Sequence, residues 1–297
     1  MSIIRDNRNL GPDELRKQLK SGFITAAGVY SGITGIQAER AGFKTLYLSG
    51  SGVAGVMGIP DLSFTTLSEL ADETRKIIAV TRSPLIVDAD TGFGEPLNVS
   101  RTVRVLEAAG ASAIHIEDQQ LPKKCGHLSG KKLVDEVEMI HKLKAAVKSR
   151  VSESFCIIAR TDARSVNGIE DAISRAALYA DNGADVIFTE ALESREEFLK
   201  FRREIKTPLL ANMTEFGRSP LLSVKDLKEI GYNAVIFPLT AFRTALRSTK
   251  NAYERLYSEG TQKDILNDMM SREEYYDLIG YYDYEREDKE IYGEKHE

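Results

Sequence analysis

The stretch "LEAAGASAIHIED", residues 106–118, runs from a helix-like segment through Gly110 into a short apolar run that closes on two acids. The same plan occurs in "AERAGFKTLYLSG" (38–50), "YADNGADVIFTEA" (179–191) and "LKEIGYNAVIFPL" (227–239). Gly42, Gly110, Gly183 and Gly231 each suit the left-handed position that ends a helix. The runs behind them are too short and too apolar for surface helices, so they read as buried parallel strands. "FITAAGVY" (23–30), "PLIVDAD" (84–90), "FCIIART" (155–161) and "PLLANM" (208–213) bring the strands to eight.

Between strands, "TTLSELADETRKIIAV" (65–80) opens on a capping box, Thr66 to Glu69, and sets Leu67, Leu70, Ala71, Ile77 and Ile78 largely along one face. Regular strand–helix alternation implies a parallel sheet with right-handed crossovers. Eight such units in 297 residues predict an α/β fold of the (β/α)8 TIM-type barrel class, with an open doubly wound sheet as the alternative. No Pro/Ser/Gly-rich linker divides the chain, so 1–297 reads as a single domain. Its end, 260–297, reads as a C-terminal helical extension in which Tyr275, Tyr276, Ile279, Tyr282 and Tyr284 offer an apolar face. Such a helix either folds back on its own barrel or packs on a neighbouring subunit.

Composition excludes some function classes. A net charge of −5 without a long basic run speaks against nucleic acid as the main partner. No apolar run approaches the ~20 residues of a membrane span, and the acid-containing start lacks a signal peptide's apolar centre. Two cysteines without framework spacing fit a reducing cytoplasm.

Polar residues collect at the C-terminal ends of the strands: Ser49, Asp88 and Asp90, Glu117 and Asp118, Arg160 and Asp162, Glu190, then Asn212 and Thr214. In a parallel barrel those ends share one mouth, where such folds carry their active sites. One acid there is most simply a helix cap or a loop residue. Acids from three strands would repel one another and call for a cation. Asp88 and Asp90, two apart on an extended segment, should point the same way. With Glu117 they form an all-oxygen set lacking nearby histidine or thiolate, which suits Mg²⁺ or Mn²⁺ rather than Zn²⁺.

Other motifs are weaker. "GHLSGKK" (126–132) has too few residues between its glycines for a phosphate loop, and a lysine where the Ser/Thr belongs. "GSGVAG" (50–55) satisfies a dinucleotide glycine pattern, but the nearest acids, Glu69 and Asp72, fall inside a helix rather than at a strand end. Ser49–Gly52 therefore reads as a close-approach loop for a small anion. Zinc lacks a ligand pair, since Cys156 and His115 lie in strands, His141 in a helix and His296 at the tail. What remains is Cys125 as a reactive thiol on a mobile loop. Lys123, Lys124, Lys131 and Lys132 would favour its thiolate, His127 would hold or relay a proton, and Gly126 and Gly130 would give a lid its freedom. An incidental cysteine on a solvated basic loop is the plain alternative.

"VDADTGFG" (87–94), "HIEDQ" (115–119) and "KKCGH" (123–127) together resemble the isocitrate lyase/phosphoenolpyruvate mutase superfamily. "YLSGSG", "GIPDL", "IARTDA", "LANMTEFG", "FPLTAFR", "EGTQ" and "YYDYE" extend the likeness over nearly the whole chain. The cysteine loop resembles that of the carbon–carbon lyase branch. The resemblance implies an Mg²⁺-dependent barrel that cleaves a tricarboxylate, 2-methylisocitrate, to pyruvate and succinate by a retro-aldol step. It also implies a tetramer of helix-swapped dimers. On this likeness Asp88 and Asp90 lie at the metal, with Asp61 and Glu117 in its water-mediated shell. Ser49, Gly50, Ser51, Arg160, Asn212 and Arg243 form the carboxylate-binding set, with Glu190 and Thr214 nearby. Ser51 is a departure, because such lyases commonly have glycine or alanine there. Cys125 becomes the catalytic acid on a gating loop with Lys123 and His127, and Tyr47 a candidate base. Phe188 and Ile236 would pocket the extra methyl group. The rival readings are isocitrate cleavage to glyoxylate, an oxaloacetate-type decarboxylase or hydrolase, and a non-catalytic dicarboxylate-binding barrel.

Overall fold

Gly42, Gly110, Gly183 and Gly231 take φ values between 98° and 103°, and each ends a helix and turns the chain toward a strand. The computed structural model describes residues 8–292. The opening residues 1–7, and His296 with the rest of 293–297, lie outside that range. Eight parallel strands close in sequence order into a barrel: β1 (Ile24–Val29), β2 (Thr45–Leu48), β3 (Leu85–Asp88), β4 (Ala113–Glu117), β5 (Cys156–Thr161), β6 (Val186–Thr189), β7 (Leu209–Asn212) and β8 (Ala234–Phe237). Pairing of β1 with β8 completes the ring and rules out the open sheet.

Strand alternation sorts the side chains into two layers. Leu46, Leu48, Val87, Ile114, Ile157 and Ile187 belong to the core that also contains the helix residues Leu70, Ile77, Val103 and Leu143. Tyr47, Ile86, Ile158, Phe188, Leu210 and Ile236 cluster inside the barrel, together with Leu15 of helix Gly11–Ser21. The helix Leu67–Ile78 starts on the expected capping box, with Thr66 N–H donating to Glu69 at 2.7 Å and Glu69 N–H to Thr66 at 3.3 Å.

Toward the strand ends the inward set turns polar. Ile86 gives way to Asp88, Ala113 to His115 and Glu117, Ile158 to Arg160, Phe188 to Glu190, and Leu210 to Asn212. Register pairs Asp88 with His115 and Glu117 with Arg160 across neighbouring strands. The polar mouth is thus the top layer of the same alternation that builds the apolar interior below it.

Two compact units are present, Asn9–Thr240 and a smaller one running from Ala241. The smaller unit includes the helices Arg272–Ile279 and Tyr281–Tyr292. Its tyrosines do not form a covered face: Tyr275, Tyr282 and Tyr284 are exposed, while Leu278 is buried. Tyr276 and Tyr281 instead stack on each other with centroids 4.4 Å apart.

Candidate active site

Asp88 ends β3 and accepts N–H bonds from Gly50 (3.0 Å) and Asp90 (3.1 Å), with His115 Nε2 at 3.3 Å. Burial pushes its carboxyl up, but the charges of His115, Lys123 and Arg160 and the Asp90 N–H outweigh this and bring it to about 2. Asp90 is not on an extended segment as expected. It lies past the strand at φ 47°, so a left-handed turn rather than strand alternation aims its carboxylate. The two acids still converge, because a Cβ on Gly50 would meet Asp88 Oδ2 at 3.2 Å and Asp90 Oδ1 at 3.3 Å. Burial and repulsion from Asp88 push Asp90 up to about 7 against the pull of Lys123. Burial also holds Glu117 well above the usual carboxylate range despite Arg160, and Glu117 Oε1 is buried without a hydrogen-bond partner.

Lys123 stands among these acids. Its Nζ pairs with Asp61 and lies 2.6 Å from Asp90 Oδ1. Among the described residues, no three acids, histidines or cysteines are grouped closely enough to hold a metal by themselves. The set nevertheless fits Mg²⁺, which keeps several waters and takes only one or two carboxylates directly. The unpartnered Glu117 Oε1 and the raised Asp90 carboxyl mark a place short of positive charge.

On the strand next to Glu117, Arg160 donates to Asp162 through Nε (3.0 Å) and Nη2 (3.1 Å), and its Nη1 is 3.3 Å from Glu117 Oε2. Its guanidinium lies 5.1 Å from the Phe188 ring centroid. Glu190 accepts a bond from Asn212 Nδ2 at 3.3 Å and stands 2.7 Å from His127 Nε2. Ser49 stands at the N-cap position of the helix Gly50–Val56 without a side-chain capping bond, so Gly50–Gly52 are helical rather than part of a loop, and Ser51 is half-buried there. Thr214 is buried just beyond β7. Arg243 belongs to the smaller unit, on the helix Thr240–Glu259.

The cysteine loop is seated rather than loose. Gln119 brackets it through two 2.9 Å bonds to the Lys124 N–H and carbonyl, and Lys131 Nζ donates to Asp162 at 2.8 Å and to the Gly126 carbonyl. Gly126 serves close approach here, since a Cβ would overlap Arg160 Nη2 and stand 2.6 Å from Glu190 Cγ. With Lys123 and Lys131 committed to acids, the expected thiolate is not favoured. Burial raises the Cys125 thiol above its ordinary value, opposed by the His127 backbone and assisted by Glu190. Cys125 keeps one side open to solvent. A raised thiol is protonated at neutral pH and suits a proton donor better than a nucleophile.

The family model for phosphoenolpyruvate phosphomutase matches residues 15–257. The chain belongs to the phosphoenolpyruvate phosphomutase family. A 2-methylisocitrate lyase of Aeropyrum pernix is 54% identical over 272 residues, covering 92% of this chain and 88% of that protein. A crystal structure of 2,3-dimethylmalate lyase, a PEP mutase/isocitrate lyase superfamily member, is similar at a TM-score of 0.88 and 36% identity, covering 94% of this chain and 95% of that one. A phosphonopyruvate hydrolase solved with oxalate and Mg²⁺ gives a TM-score of 0.85 at 29% identity, covering 96% of this chain and 98% of that one.

In this phosphoenolpyruvate phosphomutase family chain the residue missed by sequence reasoning is His115. It stacks on Tyr47 with centroids 5.8 Å apart, meets Phe188 edge-on, and lies 2.8 Å from the Tyr47 hydroxyl. Burial lowers it to about 4 against the charge of Asp88, so it is neutral at pH 7. Burial and Asp88 raise the Tyr47 phenol well above its ordinary value, which argues against Tyr47 as a ready base. The alternation Ala113, His115, Glu117 was the available signal. Asp118, by contrast, knits the scaffold by accepting from Thr161 Oγ1 (2.8 Å), the Asp162 N–H (2.9 Å) and the Tyr179 hydroxyl (2.9 Å).

Proposed function

We propose that this chain cleaves 2-methylisocitrate to pyruvate and succinate with Mg²⁺, Mn²⁺ being the alternative ion. The observation that carries the reading is the Cys125 loop, fitted through Gly126 onto Arg160 and Glu190 beside Asp88, Asp90 and Glu117. The likeness to the Aeropyrum pernix lyase supports the choice of substrate.

Asp88, Asp90 and Glu117, with Asp61 behind them, would hold Mg²⁺, which when bound would supply the positive charge that polarises the substrate hydroxyl and its adjoining carboxylate. Gly50 N–H fixes the Asp88 carboxylate by its hydrogen bond. Ser49, Ser51, Asn212 and Thr214 take the substrate carboxylates together with Arg160. The hydroxyl proton passes to a carboxylate of the acid side of the mouth, among Asp88, Asp90 and Glu117. The bond between the hydroxyl-bearing carbon and its neighbour then breaks, forming the pyruvate carbonyl and sending the electron pair into an enediolate of succinate. Arg160 stabilises that charge through its fixed guanidinium. Cys125 donates its thiol proton to the carbon. Lys123 and His127 anchor the loop that delivers it, through Asp61 and Glu190 respectively. Phe188 and Ile236, inside the barrel, receive the methyl group.

The exposed tyrosines of the smaller unit support a helix-swapped dimer, paired into a tetramer. Two free cysteines support a cytoplasmic setting. Among the described residues no helix is long and apolar enough to cross a membrane.

The test offers purified protein with Mg²⁺ both 2-methylisocitrate and isocitrate. The expected result is equimolar pyruvate and succinate from the first substrate, with the second cleaved poorly. Preferential release of glyoxylate from isocitrate would overturn the substrate assignment.

A further inference from the structure

We propose that the loop after β7, through Gly217 and Arg218, is the latch that keeps the Cys125 loop closed, with His127 as the bolt between them. The His127 ring is held from two sides. Its Nε2 lies 2.7 Å from Glu190 Oε1 beyond β6, and its Nδ1 accepts the Arg218 backbone N–H at 2.9 Å. Arg218 also grips the backbone of the same residue, because its Nε donates to the His127 carbonyl at 3.2 Å. The Arg218 side chain is oriented by Glu193, 3.5 Å from its Nη1. One imidazole therefore joins three segments that are distant in sequence.

The fit on the latch side is tight. A Cβ on Gly217 would stand 2.7 Å from His127 Nδ1 and 2.8 Å from Cε1. The preceding Phe216, 91% exposed as a residue, is held at φ 60°, a conformation that a bulky L-residue rarely adopts. Strained backbone of this kind persists where surrounding contacts demand it, and here it brings Gly217 and Arg218 against His127. The ends of the loop are tied separately, at Lys123 to Asp61 and Asp90 and at Lys131 to Asp162. Arg218 secures its middle, next to Cys125. It touches no reacting atom and acts as a positioning residue, setting how much of the time the thiol faces the mouth.

Hydrogen–deuterium exchange of segment 121–130 in the intact chain tests this, comparing wild type with Arg218→Ala, Arg218→Lys and Gly217→Ala. Loss of a hydrogen bond from a charged donor should speed exchange of 121–130 in Arg218→Ala by about tenfold, with barrel strands unchanged. Arg218→Lys, which keeps the charge near Glu193, should fall between Arg218→Ala and wild type. Gly217→Ala should speed exchange of the same segment by crowding the ring. Wild-type exchange of 121–130 in both Arg218→Ala and Gly217→Ala would overturn the latch, as would an equal rise across the barrel. The inference rests on the proposed role of Cys125 only for its kinetic consequence, a lowered kcat. The exchange result stands whether or not 2-methylisocitrate is the substrate.

Discussion

Replacing Gly126 with alanine adds one methyl group at the point where the cysteine loop meets the barrel mouth. That carbon would overlap Arg160 Nη2 and lie 2.6 Å and 2.7 Å from Cγ and Cδ of Glu190. Neither neighbour can step aside cheaply. Arg160 is fixed by two bonds to Asp162 and by Glu117, and Glu190 by Asn212 and His127. Overpacking a site of this kind costs about 1–3 kcal/mol, which lowers the closed-loop population by roughly five- to 150-fold. The loop can relieve the clash by opening, so the barrel itself should lose little stability. The assay is kcat with saturating 2-methylisocitrate and Mg²⁺, beside thermal unfolding of the same samples. The expectation is a kcat reduced at least fivefold with the unfolding midpoint nearly unchanged. A kcat within twofold of wild type would show that turnover does not need the loop as seated here.

The thiol must be protonated to donate, and burial with Glu190 raises its pKa, so deprotonation removes the donor only as pH climbs past the ordinary cysteine value of about 8.5. The alkaline limb of kcat should accordingly lie above that value and vanish from Cys125→Ser, and a cysteine-dependent limb below it would contradict the assignment. Removing divalent ions with EDTA should abolish turnover and Mg²⁺ should restore it; turnover indifferent to EDTA would reject the cation site at Asp88, Asp90 and Glu117. Phe188→Ala empties a fully buried position in the barrel interior and should cost about 3–5 kcal/mol in denaturant unfolding, with a loss below 1 kcal/mol showing that the interior refills.

The barrel was legible because one local rule repeats: a glycine able to take positive φ, then a run apolar on both faces. Convergence of the strand ends follows from closure, so Asp88, Glu117, Arg160 and Glu190 were placed together by position alone. The details that escaped depend on contacts between distant segments. Asp90 reaches its neighbours through a left-handed turn that strand alternation does not reveal. The loop lysines seemed free to favour a thiolate, yet Lys123 and Lys131 are consumed by Asp61, Asp90 and Asp162. His115 looked like an ordinary strand residue, although counting by twos from Ala113 would have turned it inward onto Tyr47. Nothing local in "TEFGRSP" announces that Gly217 and Arg218 face His127.

Whether the sulfur moves the proton at carbon can be read without following cleavage. In deuterium oxide, with Mg²⁺ and pyruvate present, the wild-type protein should exchange a carbon-bound proton of succinate for deuterium, and Cys125→Ser should do so at least a hundredfold more slowly, on the scale of a lost acid–base group. Equal exchange by the two proteins would contradict the account.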